Sequence, residues 1–198
     1  MSPPISTKPR LRPEHRRTLL EREALRLFGR QGYAATRLDD VAAAAGVTKP
    51  MVYRHFASKK DLYLALLRRH EADLPTFIED AALPVDADPS TVIDTILDGW
   101  LDYVEENSDS WLILFRDKTG DRDIERARVR VSRRANEVMS HLVRELAPHL
   151  DHELVEPTAD FLTSGLAGLV LWWIDHPEVP KDRVKRTAMR VTTATLRE

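Results

Sequence analysis

The chain has 198 residues, enough for one globular unit or two small ones sharing a core, and its 42% hydrophobic content can fill that core. A formal net charge of −2 conceals an asymmetry: residues 1–60 carry 13 Lys and Arg against 5 Asp and Glu, a net of +8, and the remainder carries 17 against 27, a net of −10. A basic head on an acidic body suits a protein that meets a polyanion with one end, and the absence of cysteine excludes disulfides and thiolate chemistry and fits a reducing cytoplasm.

Residues 1 to about 12 are Pro- and Arg-bearing and read as a solvated, disordered tail without the apolar core of a secretory signal. A first helix is expected from Glu14 to Gln31, with Leu20, Ala24, Leu27 and Phe28 as its inner stripe and Gly32 closing it. Its arginines, Arg16, Arg17, Arg22, Arg26 and Arg30, are within the reach of phosphates, but with Glu21 and Glu23 interspersed most of them read as a solvated face.

The next stretch, Thr36 to Lys59, organises the rest. Thr36 is a suitable N-cap for a short helix whose apolar residues Leu38, Val41, Ala42 and Ala45 fall at helical spacing. Gly46 stands where the helix must end in a left-handed residue, and Thr48 with Pro50 opens a second helix. Val47, Val52 and Phe56 form its inner side, leaving Thr48, Lys49, Met51, Tyr53 and His55 outward. Cations and hydroxyls suit phosphates, and short polar or apolar tips suit base edges and thymine methyls. Ser58 is expected to cap a third helix, with Lys59 in its first turn facing a phosphate.

The run from Gly46 to Leu62, GVTKPMVYRHFASKKDL, resembles the recognition helix and following cap of the TetR family of transcriptional regulators. Phe28, Gly32, Tyr33, Thr36 and the Ala-rich helix upstream agree with the same pattern, so the resemblance covers about the first third of the chain. Pro50 departs from it, standing where small or polar residues are common, which argues against a base contact from that position. The resemblance implies an all-α fold of about nine helices, with an N-terminal three-helix helix-turn-helix domain (1–58) and a larger ligand-binding and dimerising bundle (59–198). It implies double-stranded DNA, a small-molecule effector and a second copy of the chain as partners. Thr36, Tyr53, His55 and Lys59 are then expected on phosphates, and Arg37, Thr48, Lys49 and Met51 at bases or groove edges.

Past Ser58, Leu62, Leu66, Leu67 and Leu74 point to the body, a bend is expected near Pro75, and residues 82–89 read as a loop. Ser90 to Glu106 is apolar on two sides, Val92, Ile96, Trp100 and Tyr103 on one and Ile93, Leu97, Leu101 and Val104 on the other, as befits the centre of a bundle. A short buried segment, Trp111 to Phe115, and a break at Gly120 follow. From Asp121 to Ala147, Ile124, Ala127, Val131, Ala135, Val138, Leu142 and Leu146 form one stripe; the arginines, including Arg128, read as a solvated face. Leu154 to Asp175 is the most apolar helix, yet its longest apolar run, Leu166 to Ile174, falls short of the roughly 20 residues that cross a bilayer. With the last helix it carries surplus apolar surface, and Leu162, Gly165, Leu169, Trp172, Val184, Ala188 and Val191 are expected at a twofold interface.

Trp100, Tyr103, Trp111, Phe115, Phe161 and Trp173 are candidates for lining a cavity between helices, which would take a largely apolar or aromatic ligand. Catalysis is not expected, and neither is a cofactor. His149 and His152, flanked by Asp151 and Glu153, lack further metal partners, and no Gly-rich phosphate loop or nucleophile elbow occurs. The competing reading is a helical ligand- or protein-binding module that has lost specific DNA binding.

Overall fold

Residues 13–73 and 88–197 are described by the computed structural model. Among them are nine helices and no strand: α1 (Pro13–Ala35), α2 (Leu38–Ala44), α3 (Lys49–His55), α4 (Lys59–Asp73), α5 (Pro89–Glu106), α6 (Ser108–Phe115), α7 (Arg122–Leu146), α8 (His152–Asp175) and α9 (Lys181–Arg197). The expected tail at 1–12, the inward Leu74, the bend near Pro75 and most of the loop at 82–89 lie outside the described residues.

Each turn of the head is set by local chemistry. Gly32 leaves helical geometry at φ 79° and ends the regular part of α1. Thr36 does not cap α2: its buried hydroxyl donates back to the Gly32 carbonyl at 2.8 Å, and Arg37 takes the cap, its N–H donating to Asp40 Oδ2 at 3.1 Å. After α2, Gly46 adopts φ 63°, the Val47 N–H reaches the Ala42 carbonyl at 2.9 Å, and the Gly46 N–H reaches that of Ala43 at 3.1 Å. That pair of bonds is a Schellman closure, which needs a left-handed residue in its middle. Thr48 holds the N-cap of α3 and Pro50 lies in its first turn. Ser58 Oγ accepts the Asp61 N–H at 3.0 Å while Asp61 accepts that of Ala57 at 3.2 Å, so α4 begins in a reciprocal cap.

Two apolar cores stack along the molecule. The first joins Leu20, Ala24 and Phe28 of α1 to Val41, Val52, Phe56, Leu62 and Leu66, and continues without a break into Ile113 of α6 and Ile124, Ala127 and Val131 of α7. The helical head is therefore seated on the bundle through packed side chains. Where α1 crosses α6, a Cβ added at Gly29 would lie 2.7 Å from Asp109 Oδ1 and 3.2 Å from its Cα, so the absence of a side chain sets how closely the two helices approach. The second core gathers Ile93, Leu97, Leu101 and Val104 of α5 with Leu162, Val170 and Trp173 of α8 and Val184, Ala188 and Leu196 of α9.

Polar groups reinforce both. Lys185 bridges Asp94 at 2.9 Å and Asp98 at 2.7 Å, tying α9 to α5. Lys60 reaches Asp121 at 3.0 Å and also pairs with Asp123, tying α4 to the start of α7. Arg128 is buried, contrary to the solvated face its sequence context implies: its Nη2 donates to Tyr63 Oη and to the Ile113 carbonyl, each at 2.9 Å, and its Nη1 pairs with Glu125 at 2.8 Å. α8 is long and apolar enough to cross a membrane by length and composition, because an averaged window tolerates polar residues that interrupt its longest apolar run. Its buried stripe, Val155, Ala159, Leu162 and Val170, packs within the bundle.

Candidate nucleic-acid interface and ligand cavity

α3 is held by Val52, which is fully buried, and by Phe56, against which the Arg17 guanidinium stacks at 4.6 Å from the ring centre. That anchoring leaves Thr48, Lys49, Tyr53 and Arg54 exposed, with Met51 and His55 half-buried at the edge. Arg16 approaches the Met51 sulfur at 4.0 Å and Arg17 the His55 carbonyl at 3.5 Å, so two arginines of α1 join the same basic face. Partial burial, followed by the charges of Arg17 and Arg54, lowers the His55 imidazole below its ordinary range and favours its neutral form. Lys49 pairs with Asp39 at 2.9 Å, which raises its ammonium and holds it next to the exposed Arg37.

Two residues expected on phosphates are used internally. The Thr36 hydroxyl is buried as described. Lys59 Nζ donates to the carbonyls of Tyr33 at 2.7 Å, Thr36 at 2.9 Å and Ala34 at 3.3 Å, and sits 4.4 Å over the Tyr33 ring. The ammonium closes the carbonyl end of α1, which a cation stabilises, so its donors are already satisfied.

A cavity of about 160 Å³ lies among α4 to α8. Of the residues named above, Trp100, Trp111 and Phe115 line it, together with Leu114, Val131 and Leu142. Tyr103 stands behind the wall, sharing a 3.1 Å hydrogen bond with Nδ1 of His70, which does line it. Phe161 points outward and is 62% exposed, and the Trp173 indole donates to the Val179 carbonyl at 2.9 Å beside a different surface cleft. The apolar helix α8 presents several faces, and only one of them turns to the cavity. Sequence reasoning missed His70, although its spacing of 3, 4 and 8 residues from Leu67, Leu66 and Leu62 continues the inward row of α4. Burial pushes its imidazole down to about 4.

Residues 22–66 match the family described as bacterial regulatory proteins, tetR family, and residues 89–195, more than half of the chain, match the tetracyclin repressor-like C-terminal domain. The chain belongs to the tetR family. Among curated proteins, this TetR-family chain is 35% identical over 106 residues to the HTH-type transcriptional activator FasR of Mycolicibacterium smegmatis, covering 54% of the chain and 48% of that protein. It is 36% identical over 74 residues to the HTH-type transcriptional regulator AcrR of Shigella flexneri, covering 37% of the chain and 34% of that protein. The match thus spans about half or less of the length of these curated relatives. A TetR-like transcriptional regulator from Rhodococcus sp. RHA1 shares the fold at TM-score 0.74 and 24% identity, with 92% of this chain and 96% of that one covered.

In this TetR-family bundle the residues expected at a twofold interface divide into two sets. Leu162, Val184 and Ala188 are buried inside the protomer, where α8 and α9 pack on α5 and α7. Trp172 and Val191 are 45% and 46% exposed, Gly165 is exposed and Leu169 half-buried. With Leu154 and Phe161, these make an outer apolar stripe. A Cβ added at Gly165 or Gly168 would meet nothing within 4 Å, so packing inside the protomer does not require either glycine. Among the described residues, no group of three or more His, Cys, Asp and Glu stands close enough to hold a metal ion.

Proposed function

We propose that the chain is a ligand-responsive regulator of transcription, a repressor that binds a palindromic operator as a homodimer and is released by a small, largely apolar ligand. The observation that carries this reading is the outward face of α3, where Thr48, Lys49 and Tyr53 stand exposed on a basic head while Val52 and Phe56 anchor the helix. A groove contact needs that division between a fixed inner side and a polar outer one. Arg37, Thr48, Lys49, Met51, Tyr53 and His55 are the residues we assign to DNA, with Arg16 and Arg17 beside them. One head reads only a few base pairs, and pairing through the outer stripe of α8 and α9 doubles the site. Two heads about 34–36 Å apart then enter successive major grooves.

The ligand acts by fitting the body better when the heads are splayed, and it lowers DNA affinity by its differential binding to the two states. The seat of the head on α6 and α7 supports this, since Leu114 and Val131 belong both to the first core and to the cavity wall. The relative FasR is named an activator; a dimer bound upstream of a promoter rather than across it would act in that sense.

Selection of bound duplexes from a genomic pool, followed by a salt titration of the best binder, tests the reading. A palindrome with half-sites about one turn apart, losing affinity steeply with salt, is the expected result. A pool that enriches no sequence, with or without apolar ligands, would favour a helical module without specific DNA binding.

A further inference from the structure

The cavity has two chemically different ends. At its inner end the lining residues Ile96, Trp100, Trp111 and Leu114 are buried. Its mouth lies at the seam of α7 and α8, where the lining residues Ser132, Asp160 and Ser164 are exposed beside Phe115 and Thr163 is half-buried. Ser132 and Asn136 stand one turn apart on α7, and Asp160 and Ser164 one turn apart on α8. Asn136 joins the two rows: its amide nitrogen donates to Asp160 Oδ1 at 3.3 Å, and the Thr163 hydroxyl donates to its oxygen at 3.1 Å. The carboxylate is thus aimed across the seam at which the cavity opens.

The direction of these bonds follows from Asp160. An ionised carboxylate only accepts, so Asn136 must turn its NH2 to Asp160 and its oxygen to Thr163, and Thr163 must give its one proton to Asn136. What remains at the mouth is rich in acceptors, namely Asp160 Oδ2 and the lone pairs of Thr163, with the Ser132 and Ser164 hydroxyls free to turn either way. No Lys or Arg occurs among the described lining residues, and His70, at the buried end, is kept neutral by burial. Outside the lining, Glu156 stands exposed one turn before Asp160, and Arg133 and Arg134 are drawn to Glu137 at 3.9 Å and 3.4 Å. The mouth therefore offers negative charge and acceptors in front of an apolar interior.

On the reading that this cavity is the ligand site, we propose that it takes a cationic amphiphile, an alkyl- or arylalkylammonium whose N–H donors meet Asp160 and Thr163 at the α7–α8 seam while its apolar body lies against Trp100, Trp111 and Leu114. The head stays at an exposed mouth and keeps part of its water, so only the apolar body is desolvated. A carboxylate head would meet like charge and lone pairs. Asp160 is then the specificity-determining residue of the cavity, and Asn136 holds it across the seam.

Two matched sets of probes test this with the full chain at neutral pH, by calorimetric titration: octylamine, 1-octanol and octanoate, and 3-phenylpropylamine, 3-phenyl-1-propanol and 3-phenylpropanoate. In at least one set the amine should bind about threefold tighter than the alcohol and about tenfold tighter than the acid, the range open to an exposed charge pair. Added salt should narrow both margins in the unaltered protein, a readout that needs no variant. Asp160→Asn should bring the amine to the level of the alcohol and leave the alcohol unchanged, and Asp160→Lys should place the acid above the amine. An amine no tighter than its alcohol in either set, or an acid as tight as the amine, overturns the proposal while leaving the cavity as a ligand site. An amine preference that survives Asp160→Asn also overturns it, placing the amine elsewhere on the acidic body. Binding by no probe of either set removes the ligand-site reading itself.

Discussion

The carboxylate of Asp117 accepts the backbone N–H of Tyr33 at 2.7 Å, joining positions 84 residues apart. It also lies 3.0 Å from the Tyr63 hydroxyl, which receives Arg128 and shares its one proton between this carboxylate and the Ile113 carbonyl at 2.9 Å. Burial raises the Tyr63 phenol well above its ordinary range, so it remains a protonated donor at any physiological pH. One acidic side chain just past α6 thus holds the end of α1 and the middle of α4.

Asp117→Ala would strand the Tyr33 N–H while the Tyr63 hydroxyl keeps the Ile113 carbonyl, and we expect a loss of about 2–3 kcal/mol in urea unfolding, since bonds to a charged acceptor exceed neutral ones. Asp117→Asn keeps one acceptor oxygen and should cost about 1–2 kcal/mol. Equal losses for the two would mean that the side-chain volume matters and the bonds do not.

The two lysines that open α3 and α4 should behave differently. Lys59 is engaged by three carbonyls and a ring. Lys59→Ala should cost about 1–2 kcal/mol of stability and leave the salt slope of operator binding unchanged. Lys49→Ala or Arg37→Ala should reduce that slope by about 1 for each phosphate the side chain neutralises, with little effect on stability. The opposite pattern in a salt titration would restore Lys59 to the phosphates.

His70 gives a defined pH dependence. Its folded-state imidazole is pushed down to about 4 from an ordinary 6.5, so in that window the unfolded chain binds the extra proton. Its contribution is fully present above the unfolded value and is lost as pH falls toward the folded one, on the order of 3 kcal/mol in all. Denaturant unfolding at about pH 7 and about pH 4.5 should show that His70→Phe loses less stability over the interval than the unaltered protein. Parallel losses would assign the acid sensitivity to carboxylates alone.

The outer stripe of α8 and α9 gives a test of assembly. Phe161→Glu and Trp172→Arg place charge on an exposed apolar face, and each should convert a dimer at micromolar concentration to a monomer in sedimentation, with unchanged helix content. Leu162→Glu, at a position inside the protomer, should instead unfold the bundle. A protein already monomeric before substitution would end the dimer reading.

The head was legible in the sequence because its signals are local. Gly46 at φ 63°, Thr48 at the cap, Pro50 in the first turn and the Ser58 cap each act within a few residues. What escaped depends on partners far along the chain. Lys59 meets carbonyls 23 to 26 residues before it, and the arginine pattern of α7 does not reveal that Arg128 reaches Tyr63, 65 residues away. The cavity was half legible for a related reason. Trp100 stands in one of the two apolar rows of α5, and Trp111 and Phe115 lie one turn apart on the short α6, so each direction is set within a few residues. α8 is apolar nearly all round, so periodicity cannot say that Leu162 turns in and Phe161 out.

α6 is eight residues long, about 12 Å, and both of its sides are committed. Trp111 and Phe115 face the cavity, while Ile113 and, just beyond the helix, Asp117 grip the head. On the proposed function, sensing and response are written on alternate positions of one short segment. On that reading, substitutions at 111 and 115 would change which compound is recognised while 113 and 117 keep the mechanical linkage intact. If the segment does both, a lineage built on it is free to acquire new signals without having to reinvent how a signal reaches DNA.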